Sequence, residues 1–298
     1  MLGIRPERIV TDLHPRYISS ALGERLSADR GIPRWRVQHH HAHGLSVMAE
    51  HGLSGKAAAF VFDGTGYGTD GTIWGGEILL LEGNQMVRAG HLDAMPLLGG
   101  DISMKQAWKT GLASLVYAGL QAEDHRYGLV KAALAAGVNT IRDSAMGRLF
   151  DSAAALLHLK EENRFKGECA MALEQAAVQA KRKGKTALPL HLSLKEEKGQ
   201  LIWHREDLIA SLVEADDTIE EAALGFHRAI VDMVVESARI LGVEQVILTG
   251  GCFHNGILWT ETKKALTKEH FKVYGNEKVP CGDGGISLGQ AFYGLMQG

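Results

Sequence analysis

Segments with strand character alternate with helical segments along the whole 298-residue chain, and this alternation restricts the fold more than any other feature. Two strand–loop–helix units close the sequence, the first over 245–266 and the second over 272–296. Units of this kind pack their helices against the faces of a sheet. The pattern therefore predicts an α/β fold with mixed sheets. An apolar fraction of 45% is enough for a core, which excludes a disordered chain.

Charge and cysteine content exclude further classes of protein. A net charge of −3 argues against a nucleic-acid binder that works through a broad basic surface. The three cysteines form no CxxC pair, so neither zinc fingers nor a disulfide framework is expected. No apolar run reaches the roughly 18 residues of a membrane span, and the first residues lack the apolar region of a signal peptide. We therefore expect a cytoplasmic protein with reduced thiols and no membrane partner.

The densest polar motif is VQHHHAH at 37–43, with four histidines in five positions. If a helix begins here, His39 and His43 stand at i and i+4 on one face. Two imidazoles at that spacing can bind one divalent metal, as on HExxH helices, although the glutamate of that pattern is missing. The alternative is a polar helix start with solvated histidines.

Two aspartates could complete such a metal site. Asp63 follows the apolar run 60–62, and Asp283 lies in CGDGG at the start of the last helix. Histidine and carboxylate ligands together suit iron, zinc or manganese. The alternatives are a turn residue for Asp63 and a helix N-cap for Asp283.

The glycine-rich stretch 63–71 has formal GxGxxG spacing that begins at Gly66. A dinucleotide-binding fingerprint needs a helix after it, whereas the residues that follow predict a strand. We expect instead a hairpin turn over 63–71 whose backbone N–H groups face an anion. A plain flexible hairpin is the alternative.

A second glycine loop, TGGCFHN at 249–255, lies between a predicted strand and a predicted helix. Gly250 and Gly251 allow close approach of a ligand, and the helix N-terminus after them favours a phosphate. In the helix that follows Ser144, Gly147 and Asp151 share a face, and Asp151 could bind a ribose hydroxyl. A solvated helix position is the alternative for Asp151, and Glu174 has the same two interpretations.

Taken in order, these motifs resemble the HypF carbamoyltransferase family, which matures nickel–iron hydrogenases. The shared stretches read DLHP at 12–15, VQHHHAH at 37–43, DGTGYG at 63–68, DGTIWGGE at 70–77, SAMGRLFD at 144–151, LTGGCFHN at 248–255 and DGG at 283–285. The resemblance covers nearly the whole chain, but only the C-terminal module of that family. This module is similar to TsaD-like tRNA threonylcarbamoyl-adenosine synthases and to antibiotic O-carbamoyltransferases.

The resemblance implies the actin/sugar-kinase/Hsp70 (ASKHA) fold, in which two lobes enclose a nucleotide cleft. We expect a partial first lobe over 1–140, which carries the histidine motif and lacks the usual N-terminal hairpin. The second, nucleotide-binding lobe is expected over 141–298, and its last helix returns to the cleft.

The resemblance also implies two sets of site residues. A divalent metal, iron or zinc with magnesium as a further option, would be held by His39, His43, Asp283 and Asp63. ATP, AMP or carbamoyl-adenylate would be held by Asp151, Glu174, Gly250, Gly251 and Asn255, and the motifs themselves add Gly66 and Gly147 to this set.

The activity implied is carbamoyl transfer from carbamoyl-adenylate to the C-terminal cysteine thiol of a HypE-like acceptor protein. A separate YrdC-like module would form the adenylate, and His40, His41 or His14 could act as general base. One alternative is transfer to another acceptor, such as a tRNA adenosine or a small-molecule hydroxyl. The other is a non-catalytic nucleotide-binding scaffold.

Overall fold

The computed structural model describes residues 5–215 and 218–297, which form strands and helices in alternation. The strands are β1 (Ile9–Asp12), β2 (Arg34–Val37), β3 (Lys56–Tyr67), β4 (Ile73–Glu82), β5 (Gln85–Leu92), β6 (Met95–Leu98), β7 (Thr140–Asp143), β8 (Ser193–Glu197), β9 (Gln200–His204), β10 (Gln245–Thr249) and β11 (Lys272–Gly275). The helices are α1 (Ile18–Arg30), α2 (His39–His51), α3 (Ala107–Tyr117), α4 (Tyr127–Ala135), α5 (Met146–Leu156), α6 (Glu168–Arg182), α7 (Glu206–Val213), α8 (Ile219–Leu241), α9 (Gly256–Lys268) and α10 (Ile286–Leu295). Short 3-10 turns precede α3, α9 and α10.

One mixed sheet runs in the order β11-β10-β3-β4-β5-β9-β8, while β7 joins it beside β4 and pairs with β6. The strands β11, β10 and β3 are parallel, β3, β4 and β5 are antiparallel, and β5 and β9 are again parallel. β1 and β2 form a separate parallel pair. The α/β class with mixed sheets is confirmed. Strands from both sides of residue 140 share the main sheet, and the lobe boundary there stays a prediction.

Strand β3 lies at the centre of the core because both of its faces are apolar. Ala58, Phe60 and Phe62 pack into the core beneath α5, α8 and α9, whereas Ala59 and Val61 pack beneath α2 and α10. Successive side chains of a strand point to opposite faces, so a continuous apolar run indicates a strand covered on both sides. The end of β3 is thereby held between two layers of helices.

Helices α2 and α10 pack closely across that second face, and a glycine permits the contact. A Cβ atom on Gly289 would lie 1.8 Å from the carbonyl oxygen of Ala42. Only hydrogen fits at this point of the interface. The close approach brings the loop before α10 to the N-terminal end of α2.

Three predictions about local structure are wrong. β3 continues past Phe62 to Tyr67 through a register shift, so the stretch 63–71 is mostly strand and only its end is a turn. The alternating leucines at 188–194 predict a strand there, but β8 begins only at Ser193. The sequence TIEE at 218–221 predicts a capping box, yet Thr218 makes no cap hydrogen bond, because its hydroxyl donates to the carbonyl of Ala215.

Among the described residues, no helix combines the length and apolar character needed to cross a membrane.

Candidate metal centre and adjoining cleft

The first turn of α2 fixes the two predicted histidine ligands. The side chain of Gln38 caps the helix, since its Oε1 accepts the backbone N–H of His41 at 2.9 Å. The helix therefore begins at His39 and places His43 one turn later on the same face. The two Nε2 atoms, of His39 and His43, lie 3.5 and 3.8 Å from Oδ2 of Asp63 at the bend of β3.

Asp283 approaches the same two nitrogens from the loop before α10. Its Oδ1 lies 3.8 Å from Nε2 of His39 and 3.9 Å from Nε2 of His43. The donor atoms of all four side chains lie within 4.8 Å of one another. The two Asp283 distances are too long for hydrogen bonds, but they fit a shared metal, because two metal–ligand bonds of about 2.1 Å allow donor atoms to lie up to about 4.2 Å apart. The structure thus brings His39, His43, Asp63 and Asp283 together.

Asp12, at the end of β1, orients one ligand and was not predicted as a site residue. Its Oδ2 accepts a hydrogen bond from Nδ1 of His39 at 2.8 Å, and its Oδ1 accepts the backbone N–H of His14 at 2.8 Å. With the ring proton on Nδ1, the lone pair of Nε2 faces the other ligands. Carboxylates commonly orient metal-binding histidines in this way.

The chemistry of these donors fits a divalent metal. The side-chain nitrogen Nε2 of His39 and both ring nitrogens of His43 are buried and have no hydrogen-bond partner. Burial lowers the pKa of His43 to about 4, so the ring is neutral and can bind a metal. Burial also lowers the pKa of His39, but the carboxylates of Asp12 and Asp63 outweigh it and raise the value to about 9. The two carboxylates thus favour a positive charge at the His39 ring. A divalent metal ion bound at Nε2 can supply that charge in place of the Nε2 proton.

A cleft of about 690 Å³ adjoins the metal ligands. Its lining includes two of the metal ligands, several predicted nucleotide residues and two cations; these are Asp63, Asp283, Gly147, Asp151, Glu174, Gly251, Asn255, Arg148 and Lys166. Neither Gly250 nor Gly66 lines it. The predicted metal site and most of the predicted nucleotide residues therefore share one cavity.

Gly147 and Asp151 lie on α5, and both line the cleft. A Cβ on Gly147 would lie 2.7 Å from the Cα of Gly64, so this glycine lets helix and strand approach. Asp151 is 2% exposed, which overturns the alternative of a solvated helix position. Its Oδ2 lies 2.6 Å from Nη1 of Arg148, and its Oδ1 accepts a hydrogen bond from Asn163 at 3.1 Å.

The glycine loop at 250–255 serves the fold as well as the cleft. Gly250 has φ 99°, and a Cβ there would lie 2.3 Å from the carbonyl oxygen of Phe62. Gly251 lines the cleft, where a Cβ would lie 2.9 Å from Oδ1 of Asp63. Position 250 therefore requires glycine for its packing against β3, whether or not a ligand is bound.

Two predicted nucleotide residues are engaged at the start of α9. Asn255 caps the helix, since its Oδ1 accepts the backbone N–H of Leu258 at 2.9 Å, and its amide nitrogen lies 2.9 Å from Nε2 of His227. Glu174 accepts the backbone N–H of Gly256 at 2.7 Å. Its carboxylate occupies a helix N-terminus of the kind that favours anions.

The three histidines proposed as general bases lie in different surroundings. His40 is buried beside Gly66, where a Cβ would lie 2.3 Å from its Cε1, so this glycine makes room for the ring. Gly66 pairs with Trp74 inside the sheet and does not lie in an anion-binding turn. His41 packs edge-on against Tyr293, with ring centroids 5.7 Å apart. His14 stacks on Tyr17 at 4.1 Å.

Two cations of the cleft were not predicted from the sequence. Arg148 is buried beside Asp151, and Lys166 reaches from the loop before α6 to Asp283, with 3.2 Å between Nζ and Oδ2. Arg148 lies within the motif at 144–151, which is the signal that could have found it, whereas Lys166 lies outside every motif and only its contact with Asp283 reveals it. Together they bring positive charge to a cavity that four carboxylates also line.

Comparison with known proteins gives consistent matches over the whole chain. Residues 59–290 match the family description "Carbamoyltransferase, Kae1-like Domain, second subdomain", and residues 1–50 match "HypF Kae1-like domain". A carbamoyltransferase HypF homolog of Cupriavidus necator is 33% identical over 309 residues, which cover 98% of this chain and 78% of that protein. Carbamoyltransferase HypF2 of the same organism is 33% identical over 332 residues, which cover all of this chain and 41% of that relative.

The crystal structure of full-length HypF in its phosphate- and nucleotide-bound form superimposes with a TM-score of 0.86 and 31% identity. The match covers 99% of this chain and 39% of that one, so the chain spans about two fifths of the full-length protein. This agreement confirms the fold expected from the motifs. The chain belongs to the HypF carbamoyltransferase family and corresponds to its Kae1-like domain.

Proposed function

We propose that this chain transfers a carbamoyl group from carbamoyl-adenylate to the C-terminal cysteine thiol of a HypE-like acceptor protein. One observation carries the proposal: the four metal-type donors adjoin a cleft that most of the predicted nucleotide residues also line. An activated carbamoyl group attached to a nucleotide would then lie next to the metal ligands. Family membership supports a carbamoyltransferase in particular.

The cleft offers complementary groups to each part of the donor molecule. Arg148 and Lys166 provide the positive charge that a phosphoryl group requires. Gly251 leaves its backbone open to the cleft, and the carboxylates of Asp151 and Glu174 can accept hydrogen bonds from ribose hydroxyls.

His39, His43, Asp63 and Asp283 would hold the metal, and iron or zinc suits this set of nitrogen and oxygen donors better than magnesium. When bound, such an ion supplies Lewis-acid polarisation of a carbamoyl or phosphoryl oxygen.

In the transfer, a carbon–sulfur bond forms and the bond between the carbamoyl carbon and the phosphate oxygen breaks. The thiol loses its proton to the surrounding water or to a nearby base, and AMP leaves with the electron pair. The leaving oxygen carries negative charge, which Arg148 and Lys166 would stabilise without a general acid.

The histidine roles follow from their hydrogen bonds. The amide nitrogen of Gln38 lies 3.0 Å from Nδ1 of His40, so a neutral His40 ring keeps its proton on Nε2. Burial lowers the pKa of His40 well below its usual range, which keeps the ring neutral. A neutral His40 can therefore donate a hydrogen bond from Nε2, although its ring is buried beside Gly66 and does not line the cleft. His41 packs away from the cluster, and His14 stays the candidate for the general base.

The test supplies the purified chain with preformed carbamoyl-adenylate and a full-length HypE-like acceptor, then weighs the acceptor by mass spectrometry. We expect one added carbamoyl group on the terminal cysteine, and none when that cysteine is replaced by serine. A His43→Ala variant should lose transfer, whereas His125→Ala, on a 90% exposed side chain, should retain it.

Carbamoyl phosphate with ATP should give no product without a YrdC-like module, because the adenylate must first be formed. Transfer from those two compounds with this chain alone would contradict that division of labour. No transfer from either donor would favour the non-catalytic scaffold, and transfer to a nucleoside or sugar hydroxyl would identify a different acceptor.

A further inference from the structure

A second group of metal-type side chains lies at another edge of the sheet, where β5 and β9 end. Asp93 follows β5, His204 is the last residue of β9, and Glu206 is the first residue of α7. β5 and β9 are parallel neighbours, and the backbone N–H of Asp93 donates to the carbonyl of Trp203 at 2.9 Å. The carboxyl ends of parallel strands meet at the same edge, so three residues distant in sequence converge there.

The spacing of these donors matches that of the first centre. Nδ1 of His204 lies 3.9 Å from Oδ2 of Asp93 and 3.7 Å from Oε1 of Glu206. All three donor atoms lie within 4.8 Å of one another. The two distances from His204 are too long for hydrogen bonds, and they lie within the span of about 4.2 Å that two bonds of about 2.1 Å to one ion allow.

The Asp93 and His204 donors are shielded from water and lack hydrogen-bond partners. Both ring nitrogens of His204 and Oδ2 of Asp93 are inaccessible to solvent and have no hydrogen-bond partner. The Asp93 side chain is only 4% exposed. Buried polar atoms are destabilising unless something satisfies them. A cation among the three side chains would satisfy Nδ1 of His204 and Oδ2 of Asp93 at once.

Neighbouring groups orient the donors towards a common point. Nε of Arg205 donates to Oδ1 of Asp93 at 2.7 Å, and Nη2 of Arg205 donates to the Asp93 carbonyl, so Oδ2 is left facing His204. Oε1 of Glu197 lies 3.6 Å from Nε2 of His204 and favours the ring proton on that nitrogen. The lone pair of Nδ1 then faces Asp93 and Glu206. Burial and the Asp93 carboxylate raise the pKa of Tyr117, so this adjacent phenol stays neutral.

We propose that Asp93, His204 and Glu206 bind a divalent transition-metal ion of the zinc, iron or manganese class, independently of the centre at His39. One imidazole and two carboxylates suit these metals. The Glu206 side chain is 39% exposed, so the ion can be loaded from solvent. With three protein ligands in place of four, this site binds more weakly than the first. A bound ion links the ends of β5 and β9 to the start of α7.

The test is calorimetric titration of the metal-free chain with zinc, repeated with manganese. We expect two ions per wild-type chain and one in His43→Ala, which retains only the second site. Adding Glu206→Gln or His204→Gln to His43→Ala should abolish the binding of that remaining ion. Glu214→Gln, the same substitution at an exposed residue after the same helix, should leave it bound.

Circular dichroism of each variant checks that the fold is intact, and Glu206→Gln is the safer variant because its side chain is partly exposed. A wild-type chain that binds one ion, together with a folded His43→Ala variant that binds none, would overturn the second site. The same conclusion would follow if Glu206→Gln and His204→Gln both left the ion of His43→Ala bound.

Discussion

At the scale of single residues, hydrogen bonds to a histidine ring decide which nitrogen is free to bind a metal. The Asp12 carboxylate accepts a hydrogen bond from Nδ1–H of His39, whereas the Gln38 amide donates to Nδ1 of His40 and leaves the ring proton of His40 on Nε2. Two adjacent histidines of one motif therefore have opposite capacities. His39 offers a lone pair to the cluster, and His40 offers an N–H.

We expect Asp12→Asn to weaken zinc binding at the first centre by about 10- to 100-fold, the usual effect of removing a carboxylate that orients a histidine ligand. The asparagine side chain keeps the size of aspartate but is a weaker hydrogen-bond acceptor for Nδ1–H of His39. The His39 ring is therefore held less firmly. Competition with a chromophoric chelator measures the affinity, and Asp29→Asn, at an exposed position of α1, is the matched control. Equal affinities of Asp12→Asn and wild type would show that Asp12 does not orient the ligand.

At the scale of secondary structure elements, the contact between α2 and α10 assembles the metal centre. Two ligands lie on the first two turns of α2, and Asp283 lies just before α10. The helices can approach only because Gly289 presents no side chain to the Ala42 carbonyl. The distance between the two helices therefore sets the distance between the ligands.

Gly289→Ala should destabilise the fold by about 1–3 kcal/mol, the usual effect of overpacking, and should also weaken metal binding, because the new methyl group pushes α10 away from α2. Urea unfolding and zinc titration measure the two effects. The control is Gly128→Ala in α4, where a Cβ meets no atom within 4 Å and the helix should gain up to about 1 kcal/mol. A Gly289→Ala variant as stable as wild type, with full zinc affinity, would contradict this role of the glycine.

At the scale of the whole molecule, the cleft collects residues from distant parts of the chain around one cavity. Asp63 comes from the central strand, Arg148 from α5, Lys166 from the loop before α6 and Asp283 from the C-terminal region. The net charge of −3 for the whole chain does not indicate how positive and negative groups are distributed in this cleft. Arg148 and Lys166 make the cleft suitable for a phosphoryl group although the chain as a whole is acidic.

Lys166→Ala should weaken AMP binding by about 10- to 100-fold, since a hydrogen bond to a charged group contributes about 1.5–3 kcal/mol. The side chain is 77% exposed, so the substitution leaves the core intact. Calorimetry at fixed ionic strength measures the affinity, and Lys264→Ala on α9 is a control with an equivalent loss of charge. If both variants bound AMP as wild type does, Lys166 would have no part in the nucleotide site.

Some features of this protein were predictable because they depend on residues close in sequence. The spacing of His39 and His43 follows from the pitch of one helix, and the alternation of strands and helices indicated the α/β class. The leucine alternation at 188–194 failed, because a strand also needs a neighbour with which to pair, and the sheet offers one only from Ser193.

The sequence by itself determined the fold class, and its motifs identified the four side chains that the structure brings together as metal-type donors. Only the tertiary structure decided that Asp12 orients His39, that Lys166 reaches Asp283, and that Asp93, His204 and Glu206 converge. The tertiary structure also gives the reason for glycine at position 250, because a Cβ atom there would collide with the Phe62 carbonyl oxygen. The physical reason is that these contacts join residues far apart in the chain. Their distances are set by strand register and helix packing, which no local pattern encodes.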